Sequence, residues 1–553
     1  MRLLIQQGAQ LPGQAQVRLE NSIMAGPPRA MYNEDIEEQR WSEIVDRSVW
    51  LRLVKLREGG LALTENAEWR LRGLELHNPQ WGLSGNEREE FSHWMSGTGD
   101  PDYKLERQLE RAPQERKLLE EWLQKEPSDG FFREDDWGEV CRDRFSTACG
   151  ALLALGRRGI WPKQRWREAL QIWSSSELLQ RSWRRLAPTV SRMPPDVIEE
   201  IAQAATWWLE EVGKNLKTNQ SEFFSICERF LRVTEDEAVN DDDPIFRAIN
   251  HPKGRVTQAL LHWWFSTKPD DGELLPPELE PIFTRMCDTN IAQYRHARIL
   301  LSANVIALMR VDQVWASSNV LPLFDWNRSD VEARAAWMGY LWAPRLYRPL
   351  LAAFKSAFLR TATRYVDLGD HGRQYASVLT FAALDPSDVF SRSEIQAAIR
   401  ALPHDGLEQC ARALVQALSS AGDQREEYWL NRVRPLLGKI WPKTSIAAPR
   451  LITEQFARLA LAAGESFPEA LVVVKPWLVP VDYPYTVFSD LEQYGTCTRF
   501  PNEALNLIDL ILGEGVWPTA ELVNCIETIA KAAPELSGTE VFKRVEDRAR
   551  RPQ

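Results

Sequence analysis

The chain has 553 residues, of which 44% are apolar and 26% charged, with a formal net charge of −11. That length exceeds one compact core and implies several cooperative units or a repeat array, while the charge excludes a protein that coats nucleic acid along its whole length. The seven cysteines (141, 149, 227, 287, 410, 497 and 525) never fall as C-x-x-C, which excludes a zinc ribbon and fits buried thiols in a reducing, cytoplasmic compartment.

The first residues, "MRLLIQQGAQLPGQ" followed by "AGPP", carry no signal-peptide core, and 1–30 is expected to be weakly structured. Strand signals are nearly absent from there on, and apolar residues recur at helical spacing. A first helical region is expected over 31–140, where "SGNEREEF" offers a capping box of Ser84 and Glu87. In "WPKQRWREALQIW", Trp166, Ala169, Leu170 and Trp173 form one stripe, with Lys163, Arg165 and Arg167 off it. The stretch 157–192 holds nine cations against Glu168 and Glu177. Two readings stay open for it. It is an ordinary solvated face, or Arg165, Arg181 and Arg184 form an outward basic surface for nucleic acid or a phosphorylated ligand.

Next comes "FRAINHPKGRVTQALLHWWF" at 246–265. Asn250 is placed to cap a helix that opens at Pro252, with Lys253, Gly254 and Arg255 in its first turn. Free N–H groups beside two cations suit an anion, but the Walker spacing and its preceding strand are missing. The favoured reading is a helix start with Lys253 and Arg255 as contact residues at most. An enzyme with an unrecognised site near His251 and Lys253 is kept as an alternative. The acidic run 235–243 lacks the glycine and terminal glutamate of a calcium loop. None of the seven histidines has metal-ligand spacing, and G-x-S-x-G and G-x-G-x-x-G are absent. No catalytic residue, metal or cofactor is therefore assigned. The apolar run at 299–309 is too short to cross a bilayer, so no membrane partner is expected. Ser329 and Glu332 offer a second capping box.

Four junctions share one grammar: "LALGRRGIWP" (153–162), "LLGKIWP" (436–442), "LALAAGESFP" (459–468) and "LILGEGVWP" (510–518). Each reads as a helix closed by Gly, a short link, then an aromatic and a Pro opening the next helix. Trp161, Trp441, Phe467 and Trp517 should be buried at these corners. The expected fold is all-α, an irregular array of helical hairpins of the α-solenoid, HEAT-like kind. A central helical region is expected over 141–365 and hairpin repeats over 366–553.

Stretches such as "RLENSIMAGPPRAMYNEDIEEQRW" (18–41), "REDDWGEVCRDRF" (133–145), "AINHPKGRVTQALLHWW" (248–264) and "WMGYLWAPRLYRPL" (337–350) resemble one bacterial family. It is the helical region that follows a sirtuin-like module in large proteins associated with anti-phage defence. The resemblance is clear over 18–365 and looser beyond. It implies a helical scaffold or sensor that binds a partner protein, with an effector module either fused or separate. The sirtuin-like module itself is absent from this chain, so its NAD chemistry is not carried over.

Overall fold

A computed structural model describes residues 11–31, 36–79, 81, 111–125, 135–232, 244–387, 389–442, 449–482, 484–515 and 519–550. The described residues are helical and hold no β-sheet; an isolated parallel bridge joins Val481 to Leu512. The expected all-α class is what the chain adopts. Two units divide it, Met1–Thr189 and Val190–Gln553.

In the first unit, the stretch expected to be weakly structured contains a helix, Gly13–Met24. It is held because Ile23 joins a buried cluster with Val49, Trp50, Leu53 and Leu71, and because the buried Glu20 carboxylate accepts from the Thr64 backbone N–H at 3.2 Å. Further on, Trp137–Asp143 packs on Phe145–Arg157 and on Lys163–Trp173. The expected stripe is the buried face of the last of these: Trp166, Ala169, Leu170 and Trp173 are all fully buried.

The second unit is laid out as a ladder. Pro195–Lys214 packs on Pro252–Ser266, which packs on Arg295–Ala303, then Asp330–Trp342, Gly372–Leu384, His404–Ser419, Pro449–Ala462, Tyr485–Gln493 and Ala520–Ala532. Shorter helices form a second layer in the later part: Arg434–Lys439, Phe467–Val474, Pro501–Ile511 and Glu540–Ala549 also meet in chain order. Each helix buries its apolar stripe against neighbours close in sequence, which is the packing order of an α-solenoid.

The junction grammar holds in part. Trp441 and Phe467 are buried at their corners, Trp441 with its ring 5.1 Å from Phe456 and Phe467 with its ring 5.9 Å from Phe500. Gly159 (φ 75°) and Gly464 (φ 62°) take the left-handed conformation that closes a helix, whereas Gly438 lies inside Arg434–Lys439. Trp161 is only half-buried. Its ring covers Gly156, where a Cβ would stand 2.9 Å from it, and lies 5.9 Å from Trp166. Trp517 and the Ser84–Glu87 box lie outside the described residues.

Candidate functional site

The His-Pro-Lys-Gly-Arg turn was the first expected site, and its helix begins where expected, at Pro252. The cap is one residue later than expected. Asn250 is still the last residue of the helix Pro244–Asn250, so its Nδ2 donates back to the Phe246 carbonyl at 2.9 Å. His251 has the extended backbone of a cap, and its Nδ1 accepts from the Lys253 N–H at 3.1 Å.

Lys253 and Arg255 are not surface contacts; they are 2% and 8% exposed. The Arg255 guanidinium lies 4.5 Å over the Trp207 ring and donates to Glu210 at 3.2 Å and to Asn250 Oδ1 at 3.1 Å. Burial lifts the Glu210 carboxyl above its usual range, and Arg255 opposes that shift. Gly254 is required by close approach, since a Cβ there would overlap the Ala248 carbonyl oxygen. His251 stacks on His296 with ring centres 4.1 Å apart. Burial, with the neighbouring His251, Lys253, Arg295 and Arg247, pushes His296 down to about 3 and keeps it neutral. The turn is a packed helix start whose cations face inward.

The basic stretch splits. Arg165, expected on the outer surface, is 3% exposed; it pairs with Asp135 at 2.7 Å and lies 4.3 Å over the Trp122 ring. Arg181 and Arg184 are exposed on the helix Ser176–Val190, as expected. Arg181 rests 4.8 Å over the Phe145 ring, and no carboxylate pairs with either arginine among the described residues.

Two cavities of the second unit show opposite polar economies. One, of about 340 Å³, is lined by Thr284, Asp288, Asn319, Asp325 and Glu332 among others. Most of its polar groups are already engaged. Thr284 Oγ1 accepts from the Trp315 indole at 2.8 Å, Asp288 and Asp325 accept from Asn290 and Asn327, and Asn319 donates to the Trp315 carbonyl. The Glu332 carboxylate takes Arg298 at 2.7 and 3.0 Å and Arg295 at 2.8 Å. Ser329 caps the Asp330–Trp342 helix, but Glu332 turns to these arginines instead of closing a box. A complete box occurs at Ser391 and Glu394.

The other is an open groove of about 530 Å³. One wall is Leu346, Phe381, Leu384 and Pro386; the other is Gln424, Glu427, Tyr428, Asn431 and Arg432. The polar wall recurs at i, i+3, i+4, i+7 and i+8, one face of a helical stretch whose turn at Trp429–Val433 is a π-helix. Trp429 and Val433 are buried on its other face. Asp385 is neutralised by Arg348, which donates at 2.9 and 2.6 Å. Among the described residues, no hydrogen bond or ion pair engages the side chains of Gln424, Glu427, Tyr428, Asn431 or Arg432. None of these residues stood out in the sequence, because a polar face at this spacing is what any solvated helix shows.

No family model matches the chain. It is 23% identical to "Uncharacterized protein y4cA" of Sinorhizobium fredii (strain NBRC 101917 / NGR234), over 96% of this chain and 45% of that protein. The chain thus spans about half the length of this curated relative. Among solved structures it is similar to a Kap121p mutant (TM-score 0.38, 13% identity, 92% of this chain and 54% of that one). A second is an engineered protein (TM-score 0.26, 13% identity, 79% and 95%). Neither likeness assigns a function.

Proposed function

We propose that this protein is a non-catalytic helical scaffold or sensor that binds a partner protein, working in bacterial anti-phage defence beside a fused or separate effector module. The observation that carries the reading is the groove lined by Gln424, Glu427, Asn431 and Arg432, where apolar surface faces a row of polar side chains left unbonded among the described residues. A stacked helical array offers such surfaces without moving its core. The resemblance of 18–365 to the helical region of defence proteins supports the setting. Affinity capture from the native host, with and without phage challenge, tests it. A specific partner at stoichiometric yield is expected. Turnover of NAD or a nucleotide by pure protein, abolished by a change at one of its own residues, would overturn the non-catalytic reading.

A second reading has its own observation. Arg181 and Arg184 stand exposed without a carboxylate partner among the described residues, while Arg165 is consumed internally. They are the residues with which this chain would contact nucleic acid. Phosphate contacts make binding weaken steeply with salt, so a salt titration of duplex and single-stranded oligonucleotide binding, on wild type and Arg181→Glu/Arg184→Glu, decides it. Salt-independent or undetectable binding removes this reading.

A further inference from the structure

We infer that the groove between 381–386 and 424–432 binds an extended segment of a partner protein, in which an apolar side chain is flanked by one basic and one acidic residue. This rests on the scaffold reading and specifies where and how the partner is held.

The walls dictate the chemistry. Leu346 is 41% exposed beside Phe381, Leu384 and Pro386, so burying an apolar side chain there removes surface from water on both partners. Asn431 and Gln424 each carry a carboxamide, which donates and accepts at once and so matches the N–H and C=O of a peptide main chain. Among the described lining residues the charges are balanced. Arg348 already neutralises Asp385, so among the described lining residues the charges left without an ion pair are the Glu427 carboxylate and the Arg432 guanidinium. Asp385 and Arg432, from the two walls, line the same groove as the half-buried Tyr428.

A nucleic acid is disfavoured because its phosphates would meet the exposed Glu427 carboxylate as well as Arg432. A compact small molecule is disfavoured because Gln424, Glu427 and Asn431 are exposed, and drug-sized ligands bury most of their surface in their pockets. A chain that lies along the groove needs no enclosure.

The test uses the full chain and an array of short acetylated, amidated peptides. Their central residue is Leu or Asn, and the flanking residues are Lys, Glu or Ser in every order. Affinities of the best binders are then measured by fluorescence anisotropy. Peptides with central Leu flanked by one Lys and one Glu should bind best. Asn431→Ala should weaken them by about tenfold, the loss of one or two main-chain hydrogen bonds. Arg432→Glu should exchange the preference for Glu at one flank for Lys, a readout that misfolding cannot mimic; melting curves of both variants accompany it. Central Asn binding as well as central Leu, or affinities unchanged in both variants, would overturn the inference. Host capture separates the two levels. A partner retained equally by Arg432→Glu sinks the groove but leaves the scaffold. No partner for wild type sinks the scaffold, and the groove is then judged on the array alone.

Discussion

Replacing Arg298 with Met should be among the most damaging single changes in the second unit. Arg298 is 1% exposed. Its Nε and Nη2 hold both oxygens of Glu332 at 2.7 and 3.0 Å. Its Nη1 donates to the carbonyls of Met286, Asp288 and Ile291 at 3.2, 2.9 and 3.0 Å, and so closes the end of the Glu280–Met286 helix. Methionine fills similar volume but leaves the Glu332 carboxylate with Arg295 alone and strips a donor from three carbonyls. Removing one partner of a buried pair costs about 3 to 5 kcal/mol. Lysine should not rescue it, because a single ammonium cannot reproduce the fork. The measurement is urea unfolding followed by tryptophan fluorescence, with Glu332→Gln and the double variant alongside. The double variant should lose less than the sum of the singles, by about 0.5 to 3 kcal/mol. A loss below about 1 kcal/mol for Arg298→Met, or strict additivity, would refute the reasoning, since that is what an ordinary substitution costs. Burial pushes the Glu332 carboxyl up, but hydrogen bonds and charge from Arg298 and Arg295 outweigh it and hold it below the usual range. Its contribution is therefore present above the unfolded carboxyl value and lost as pH falls through the lower folded value.

Trp441→Ala, which empties a fully buried corner against Phe456, should cost about 3 to 5 kcal/mol; a urea midpoint shifted by less than the equivalent of about 1 kcal/mol contradicts the junction reading. Arg165→Glu should destabilise strongly, because it sets a carboxylate against Asp135, whereas Arg181→Glu/Arg184→Glu should leave the melting temperature nearly unchanged; equal melting curves for the two variants would contradict the burial difference. His251→Ala should cost about 0.5 to 2 kcal/mol as a lost cap, and Asn250→Ala about 0.5 to 1.5 through its bond to Arg255; if only Asn250→Ala destabilises, the cap is misassigned. Since His296 is pushed down to about 3, the unfolded chain binds its proton first, so stability should fall as pH drops from about 6.5 toward 3. His296→Phe keeps an aromatic ring against His251 and should flatten that fall; an unchanged pH profile would mean that His296 titrates normally.

What the sequence shows well is local. The period of Trp166, Ala169, Leu170 and Trp173 is the buried face of their helix, and the aromatic at 441 and at 467 is a buried corner. What it hides is long-range. Nothing near Arg165 announces that Asp135, thirty residues back, will take it inside, or that Arg255 will find Glu210 and the Trp207 ring. A cation run therefore reads as surface until its partners are known. The capping error has the same origin at smaller scale. Asn250 is the better cap by residue type, but the preceding helix runs through it, and the extended backbone falls on His251.

The two cavities carry this logic to function. Both are lined by ordinary polar residues, and neither has a sequence signature. They differ in whether the fold uses those residues. Around Glu332, the buried Arg298 and half-buried Arg295 take the carboxylate, as low-dielectric surroundings demand, and turn asparagines engage Asp288 and Asp325 in the same lining. Along the groove face of 424–432, Gln424, Glu427 and Asn431 face solvent, so water can satisfy them and the fold exacts no penalty for leaving them unpaired. Such groups exchange water for a partner at little net cost, and the apolar wall opposite supplies the gain. A binding surface on a helical array is then found by asking which polar groups the fold leaves to water beside apolar area. By that criterion Asn431 and Arg432, and not Lys253 and Arg255, are the residues to change first.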